Sequence, residues 1–339
     1  MESERRPRLT PAIADVRRAV RSCIDDLAPA TTDALLLVAL SGGADSLALA
    51  AATAFEAPRS AMRAGAVVVD HGLQAGSAAV AERAAAQARA LGLDPVLVRR
   101  VDVAAATDGG GPEAAARDAR YEALNAAAAE TGALAVLVGH TLDDQAETVL
   151  LGLARGSGGS SLQGMAAASG ILRRPLLGIR RSTTRQFCTD AGLGAWDDPH
   201  NDSDLYARVR VRARVLPVLE TELGPGIAEA LARTAEQLRE DSEALDSMVE
   251  ETIEEICEPA EAGIAVSVGA LAANPAALRQ RIIRHVVDSE FGVSLSRVQT
   301  LAVARLVTDW HGQKPLDLPG IRVKRDGGLI VFTAASTPL

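Results

Sequence analysis

The chain is 339 residues long and 48% hydrophobic, with a formal net charge of −9. That length and apolar content can supply two domains and a sizeable core, and the acidic balance argues against non-specific nucleic-acid binding as the main activity. No apolar run reaches the ~18 residues of a membrane span, the charged start Met1–Arg8 is not followed by a signal-peptide core, and Cys23, Cys188 and Cys257 lack the spacing of a disulfide framework or a zinc site; a cytoplasmic protein that does not enter a membrane is expected.

In chain order, an N-terminal helix occupies residues 1–32. Leu35–Ala39 is then a short apolar run, and Ala66–Val69, Pro95–Val98 and Leu134–Val138 repeat it. Between these runs Ser46–Phe55, Ala78–Leu91 and Pro112–Thr131 have helical spacing. The β-α-β-α order predicts an α/β fold with a parallel, doubly wound sheet covered by helices on both faces. A helix from about residue 207 to 223 closes this first domain, which spans 33–223, and Gly224-Pro225-Gly226 breaks the chain. Residues 226–258 read as a long acidic linker helix. Leu231, Leu238 and Leu245 recur every seven residues, Val249, Ile253 and Ile256 continue the stripe, and eleven acids stand against two arginines. The stripe can pack within the chain or serve a homodimer. After it comes a small α+β C-terminal domain, 259–339, with strands at Ile264–Val268, Pro315–Val323 and Leu329–Phe332 and helices at Pro275–Phe291 and Ser296–Trp310.

The segment most informative for chemistry is Ser41-Gly42-Gly43-Ala44-Asp45-Ser46, directly after the first strand and at the start of a helix. Glycines let the backbone approach an anion, and the free N–H groups of the first helical turn point at it. The helix dipole offers only about 0.3–1 kcal/mol, so several amide and hydroxyl donors must act together. The lysine of the GxxxxGK[ST] loop is missing and an aspartate is present. Asp70-His71-Gly72 and Gly139-His140 follow the second and fourth strands, so all three segments fall at the carboxyl edge, where such sheets bind ligands. In Gly139-His140-Thr141-Leu142-Asp143-Asp144-Gln145-Ala146-Glu147-Thr148, the side chains Asp144, Glu147 and Thr148 share a helix face. Carboxylates there can hold Mg²⁺ or an ammonium group; helix capping by Asp143 or Asp144 accounts for one acid only. From Leu151 to Pro217 ten arginines stand against five acids, a basic tract in an acidic chain. It suits a localised RNA site or an ordinary arginine-rich surface.

Ser-Gly-Gly-x-Asp-Ser resembles the PP-loop of ATP pyrophosphatases (the adenine nucleotide alpha hydrolase-like group), which cleave ATP between the α and β phosphates. Together with Val69–Leu73 (VDHGL), Glu113–Tyr121 (EAAARDARY), GHTLDDQAET and Arg155–Gly158 (RGSG), it is similar to the tRNA(Ile)-lysidine synthases in their shorter form. The stretch Asp198–Pro217 is also similar to that family, with Arg208 and Arg212 matching its arginines, Arg210 as an additional one, and Val209 where asparagine is usual. Leu318-Pro319-Gly320 matches a strand motif of the family's small domain. The resemblance spans roughly residues 33–332.

The resemblance implies ligation of L-lysine to the wobble cytidine of tRNA(Ile) bearing a CAU anticodon. ATP and Mg²⁺ are consumed and used, respectively, and the cytidine passes through an adenylated intermediate. It implies ATP binding by Ser41, Gly42, Gly43, Ala44, Asp45, Ser46, Asp70, His71, Arg117, Gly139 and His140. Catalysis would fall to Asp45, Asp144, Glu147 and Arg208, and metal binding to Asp45 and Asp144. The candidate tRNA surfaces are the basic tract 173–185, with Arg173, Arg174, Arg180 and Arg181, then Arg210 and Arg212, and the C-terminal domain 259–339 as a tRNA- or substrate-binding domain. Whether Asp144 and Glu147 hold metal or the lysine ammonium stays open, and Arg120 and Tyr121 are read as support for the fold. The rivals are another PP-loop enzyme, such as a tRNA thiolase with paired cysteines, and a non-catalytic nucleotide- or RNA-binding module.

Overall fold

The computed structural model describes residues 9–27, 32–72, 76–101, 111–156, 158–197, 204, 206–260 and 263–335. Leu73, Ser157 and residues 198–203, which carry parts of the motifs above, lie outside the described residues. The chain forms two compact units, residues 1–238 and 239–339.

The first unit contains the helix α1 (Pro11–Leu27), the strand β1 (Leu35–Ala39), α2 (Ala44–Glu56), β2 (Arg63–Asp70), α3 (Ser77–Ala90), β3 (Val96–Arg100), α4 (Gly111–Thr131), β4 (Ala135–Leu137) and α5 (Leu142–Arg155). A one-turn helix α6 (Gly159–Leu162), a small hairpin of β5 (Ala168–Ser169) and β6 (Leu172–Arg173), and α7 (Arg181–Asp190) follow. The sheet order is β3-β2-β1-β4-β6-β5, parallel throughout except for the β5–β6 pair. The four expected strands are present. The pair β5–β6 and the helix α7 were not foreseen, because strands of two residues and a helix reading RSTTRQFCTD carry almost no apolar periodicity.

The apolar run of β1 follows from burial on both faces. Leu36 and Val38 enter one core layer with Val16 and Val20 of α1, Leu47 of α2, Ala84 and Ala85 of α3 and Phe187 of α7. Leu35 and Leu37 face the other layer, under Leu124, Ala127 and Ala128 of α4. Because β1 sits between β2 and β4, chain direction across the sheet reverses there. This is the switch point at which two loops diverge and leave a crevice.

The segment expected as one helix over 207–223 is α8 (Ala207–Arg210), a π-helical turn (Val211–Val215) and α9 (Leu216–Glu222). Pro217 has no N–H to donate into the helix, and the Leu216 N–H bonds back to the Val211 carbonyl, five residues earlier. Then α10 runs over Ile227–Ile256 and continues into the second unit.

In the second unit, β7 (Cys257–Ala260), β8 (Gly263–Ser267), α11 (Val268–Ala273), α12 (Ala276–Phe291), α13 (Arg297–Thr308), β9 (Leu316–Leu318), β10 (Ile321–Asp326) and β11 (Leu329–Ala334) build a five-stranded antiparallel sheet of order β7-β8-β11-β10-β9. The strand expected over Pro315–Val323 is two strands folded back about Pro319-Gly320, with Leu318 paired to Ile321. Proline fixes the first turn position and Gly320 takes φ +77°, as a tight turn requires. The two ends of the stripe on α10 pack inside the chain: Leu231, with Ala228, packs with Leu142, Ala146 and Leu216 in the first unit, and Val249, Ile253 and Ile256 join the core of the second. Among the described residues no helix is long and apolar enough to cross a membrane.

Candidate active site

The two loops at the switch point face each other. After β1, Gly42 takes φ +86°, and its carbonyl accepts the Trp196 N–H at 2.9 Å. The Ser46 hydroxyl accepts the Ser41 N–H at 3.2 Å and donates to the Gly43 carbonyl at 3.0 Å; the Ser41 and Ser46 hydroxyls stand 3.1 Å apart. The turn is therefore closed by its own side chains, with α2 starting at Ala44. After β4, Gly139 lies directly against it. A Cβ there would sit 3.1 Å from the Ser46 nitrogen and 3.2 Å from the Asp45 carbonyl carbon, so only glycine permits the approach without a shift.

Thr141 caps α5. Its N–H and hydroxyl both donate to Asp144 Oδ2, at 2.8 and 2.7 Å, and its hydroxyl accepts the Asp144 N–H. Such a cap contributes about 1 kcal/mol. The capping assignment for Asp144 thus holds, and it leaves Oδ1 for another partner. Asp143 instead accepts the backbone N–H of Arg181 at 2.7 Å, which ties the start of α7 to the start of α5.

Between these elements lies a cavity of about 570 Å³. Ser41, Gly43, Ala44, Asp45, Ser46, Asp70, His71, Arg117, Gly139, His140, Asp144, Arg181, Arg208 and Arg212 line it, with Arg120, Tyr121, Arg185 and Trp196. Glu147 lies behind Asp144, fully buried. Arg212 grips it with Nε at 2.8 Å and Nη2 at 3.2 Å, Arg181 Nη1 donates to it at 3.1 Å, and Arg208 Nε stands 3.6 Å away. Arg181 also donates Nη2 to Asp144 Oδ1 at 2.7 Å and faces Asp45 Oδ2 at 3.5 Å. Three acids and three arginines thus form one network between the glycine loop, α5, α7 and the π-helical segment.

The electrostatics follow from this packing. Burial pushes the Asp45 carboxyl up, against the Thr184 hydroxyl and Arg181, which favour its charged form. Burial also opposes charge on Asp144, yet Arg181, the Thr141 donors and His140 outweigh it and hold the carboxyl below its usual range. Burial takes the His140 imidazole down to about 4, and Arg174, Arg117 and Arg120 add to the effect. Among the described residues its Nδ1 has no hydrogen-bond partner, and neither has Arg208 Nε. Arg117 lies over the Tyr121 ring at 4.9 Å. Arg117, Arg120, Arg181, Arg185, Arg208 and Arg212 all line the cavity, and cationic side chains are what an anion site requires.

The six arginines expected on a tRNA surface separate. Arg181 and Arg212 turn into the acid network. Arg174 is 8% exposed and donates to the Ala166 carbonyl at 2.7 Å. Arg173 folds onto the Gly170 and Leu172 carbonyls, and Arg180 lies among Asp143, Glu220 and Glu229. Arg210 is exposed, on the opposite side of the helix from Arg208 and Arg212.

The PP-loop domain family matches residues 14–219, and the family described as the TilS substrate binding domain matches residues 267–329. The tRNA(Ile)-lysidine synthase of Leifsonia xyli subsp. xyli is 67% identical over 90% of this chain and 91% of its own length. Those of Streptomyces coelicolor and Thermobifida fusca are 48% and 50% identical, each over 95% of this chain and 98% of their own. The chain belongs to the tRNA(Ile)-lysidine synthase family. Its members are ATP-dependent ligases that modify tRNA, and this chain carries both their PP-loop domain and their substrate-binding domain. Among solved structures, the U34-tRNA thiolase NcsA from Methanococcus maripaludis, with its [4Fe-4S] cluster, shares the fold. Its TM-score is 0.57 at 21% identity, covering 68% of this chain and 80% of that one.

Membership in the tRNA(Ile)-lysidine synthase family gives the unforeseen residues a context. Thr184, bonded to Asp45, and Arg181 both lie in a tract that reads as arginine-rich surface, and only the packing of α7 on α1 and α2, with its first residue tied to Asp143 of α5, reveals them. The signal available in sequence was the Asp143–Asp144 pair, two acids where a cap needs one. For Mg²⁺, Asp45 fits: its Oδ2 meets a cation only at 3.5 Å and its buried charge is under-compensated, which suits an ion held by one or two carboxylates together with phosphate oxygens. Among the described residues no three His, Cys, Asp or Glu side chains converge as a metal site.

Proposed function

We propose that this ligase joins L-lysine to the wobble cytidine of tRNA(Ile) with a CAU anticodon, in the cytoplasm, with ATP and Mg²⁺. The observation that carries this reading is that Asp144 lines one cavity together with the glycine loop, with Glu147 buried behind it. It supplies a site for an ammonium group beside a site for phosphates.

In the first half-reaction the loop Ser41–Ser46 cradles the pyrophosphate portion of ATP with its amides and the two serine hydroxyls. Asp70, His71 and Gly139 border the nucleotide. The cytosine 2-carbonyl oxygen attacks the α-phosphorus, the bond to the β-phosphate bridging oxygen breaks, and pyrophosphate leaves. Arg117 and Arg208 offset the charge that develops on the α-phosphate; the unpartnered Arg208 Nε supports that role. Asp45 would hold Mg²⁺, which would neutralise phosphate and leaving-group charge.

In the second half-reaction Asp144 and Glu147 hold the lysine side-chain amine and accept its proton. The nitrogen attacks the cytosine C2, the C2–O bond breaks, and AMP leaves. His140, neutral at physiological pH, orients the loop after β4. A splayed anticodon base needs contacts from one face. Arg210 and the domain matched over 267–329 are the surfaces assigned to tRNA.

A thiolase reading needs reactive cysteines. Burial pushes the Cys23 and Cys188 thiols up to about 11, which disfavours the thiolate. The test is labelled lysine with ATP and tRNA(Ile) carrying CAU. Label entering that tRNA with stoichiometric AMP supports the reading. AMP without label in the tRNA sinks the lysine assignment and leaves the PP-loop chemistry standing.

A further inference from the structure

The acid pair assigned to lysine is already occupied by a cation of this chain. Arg181 puts Nη2 2.7 Å from Asp144 Oδ1 and Nη1 3.1 Å from Glu147 Oε1, while its Nε faces Asp45 of the glycine loop at 3.5 Å. Its side chain is only 15% exposed, and its backbone is anchored by the Asp143 carboxylate. Arg212 and Arg208 add two more guanidinium groups around Glu147, so three acids are balanced by three arginines. An incoming ε-ammonium makes four cations around three acids. ATP in the same cavity adds several negative charges next to Asp45, beside which Arg181 stands.

We propose that Arg181 is a resident occupant of the lysine subsite that transfers to the phosphates of ATP when nucleotide binds, and so frees Asp144 Oδ1 for lysine, with Glu147 behind it still held by Arg212. This rests on the assignment of that pair to lysine above. Arg181 is suited to the exchange. It sits on the first residue of α7, where a side-chain swing disturbs no helical packing, and it already touches the phosphate loop and the acid pair at once. A guanidinium binds phosphate as readily as carboxylate, through the same planar fork. The consequence is a positive coupling between ATP and lysine that is reciprocal by linkage. Lysine enters a formed site only after ATP has drawn the arginine away, which prevents the amine from occupying the cavity before the phosphates are in place.

The test is lysine binding by calorimetry, with and without a non-hydrolysable α,β-methylene analogue of ATP, on the wild type, Arg181→Gln and Arg181→Lys, alongside labelled-lysine transfer to the tRNA. In the wild type the analogue should tighten lysine binding at least fivefold. Arg181→Gln should bind lysine at least fivefold tighter than the wild type without nucleotide and gain nothing further from the analogue. Arg181→Lys, which keeps a cation on a shorter reach, should fall between them. A side chain that served only the fold could loosen lysine binding but could not tighten it. The proposal is overturned if the wild type transfers lysine yet its lysine affinity does not respond to the analogue, or if Arg181→Gln binds lysine no tighter than the wild type. A wild type that transfers no lysine at all overturns the assignment of the carboxylate pair instead.

Discussion

Glu147 offers a direct test of the buried acid network through stability. It is fully buried, and three guanidinium groups converge on it, with Arg212 at 2.8 and 3.2 Å and Arg181 at 3.1 Å. Glu147→Gln preserves the shape and removes the charge. Breaking a buried ion pair from one side costs about 3–5 kcal/mol, because the partner is left uncompensated. Arg181 and Arg212 keep 15% and 30% of their side-chain surface exposed, and water reaching them trims the penalty to about 2–4 kcal/mol. The second substitution is Arg212→Gln, and the measurement is urea unfolding of both single variants and the double variant. Since the double variant removes charge of both signs, it should be less destabilised than the two singles summed, with a coupling of at least about 1.5 kcal/mol, within the range found for residues in one ion-pair network. Labelled-lysine transfer by Glu147→Gln should fall at least a hundredfold. A coupling below about 0.5 kcal/mol would mean that the two side chains do not share the buried contact described, and the account of the acid network would fail with it.

Gly139→Ala should lower the rate of AMP formation about tenfold and leave the unfolding midpoint nearly unchanged, since the added Cβ, 3.1–3.2 Å from the Asp45–Ser46 backbone, displaces the phosphate loop by a few tenths of an ångström; unaltered kinetics would refute that close approach. His140 titrates near 6.5 when unfolded and at about 4 when folded, so the unfolded chain binds the extra proton between those values. Stability from this group is complete above pH 6.5 and is lost as pH falls towards 4, at a slope on the order of 1 kcal/mol per pH unit; His140→Asn should flatten the stability profile in that window, and a wild-type profile already flat there would contradict the buried neutral imidazole. Cys188 is 3% exposed with its thiol pushed up to about 11, so at pH 8 about one molecule in a thousand carries the thiolate. Its alkylation by iodoacetamide in the native protein should track global unfolding, and rapid labelling would show that α7 opens locally.

The parts of this molecule that could be read in its sequence are those in which local pattern and tertiary role coincide. The run Leu35–Ala39 is apolar because both faces of β1 are covered, and the glycine loop is recognisable because an anion site dictates residues that are contiguous in the chain. The acid network obeys no such rule. Asp45, Asp144, Glu147, Arg181, Arg208 and Arg212 come from five separate elements, and their signs of charge alone place them as well on a solvated surface as in a cavity. The tract 173–185 illustrates the difficulty: six positions apart, Arg174 and Arg180 go to unrelated carbonyl and carboxylate partners, and Arg181, the next residue, enters the active site. Nothing in the local sequence separates Arg180 from Arg181; their fates are set by the N-terminus of α7, whose backbone N–H is bound by Asp143 thirty-eight residues earlier. The π-helical turn acts similarly at 211–215. Arg208 and Arg212 would be one turn apart in a regular α-helix, but Arg212 lies in the widened turn Val211–Val215, which the bond from the Leu216 N–H to the Val211 carbonyl closes. The second acid of the Asp143–Asp144 pair is the trace that this long-range contact leaves in the sequence. One aspartate caps its own helix and the other holds the start of the helix that delivers Arg181, so Asp143→Ala should release Arg181 from the carboxylate pair without altering a single group that touches substrate.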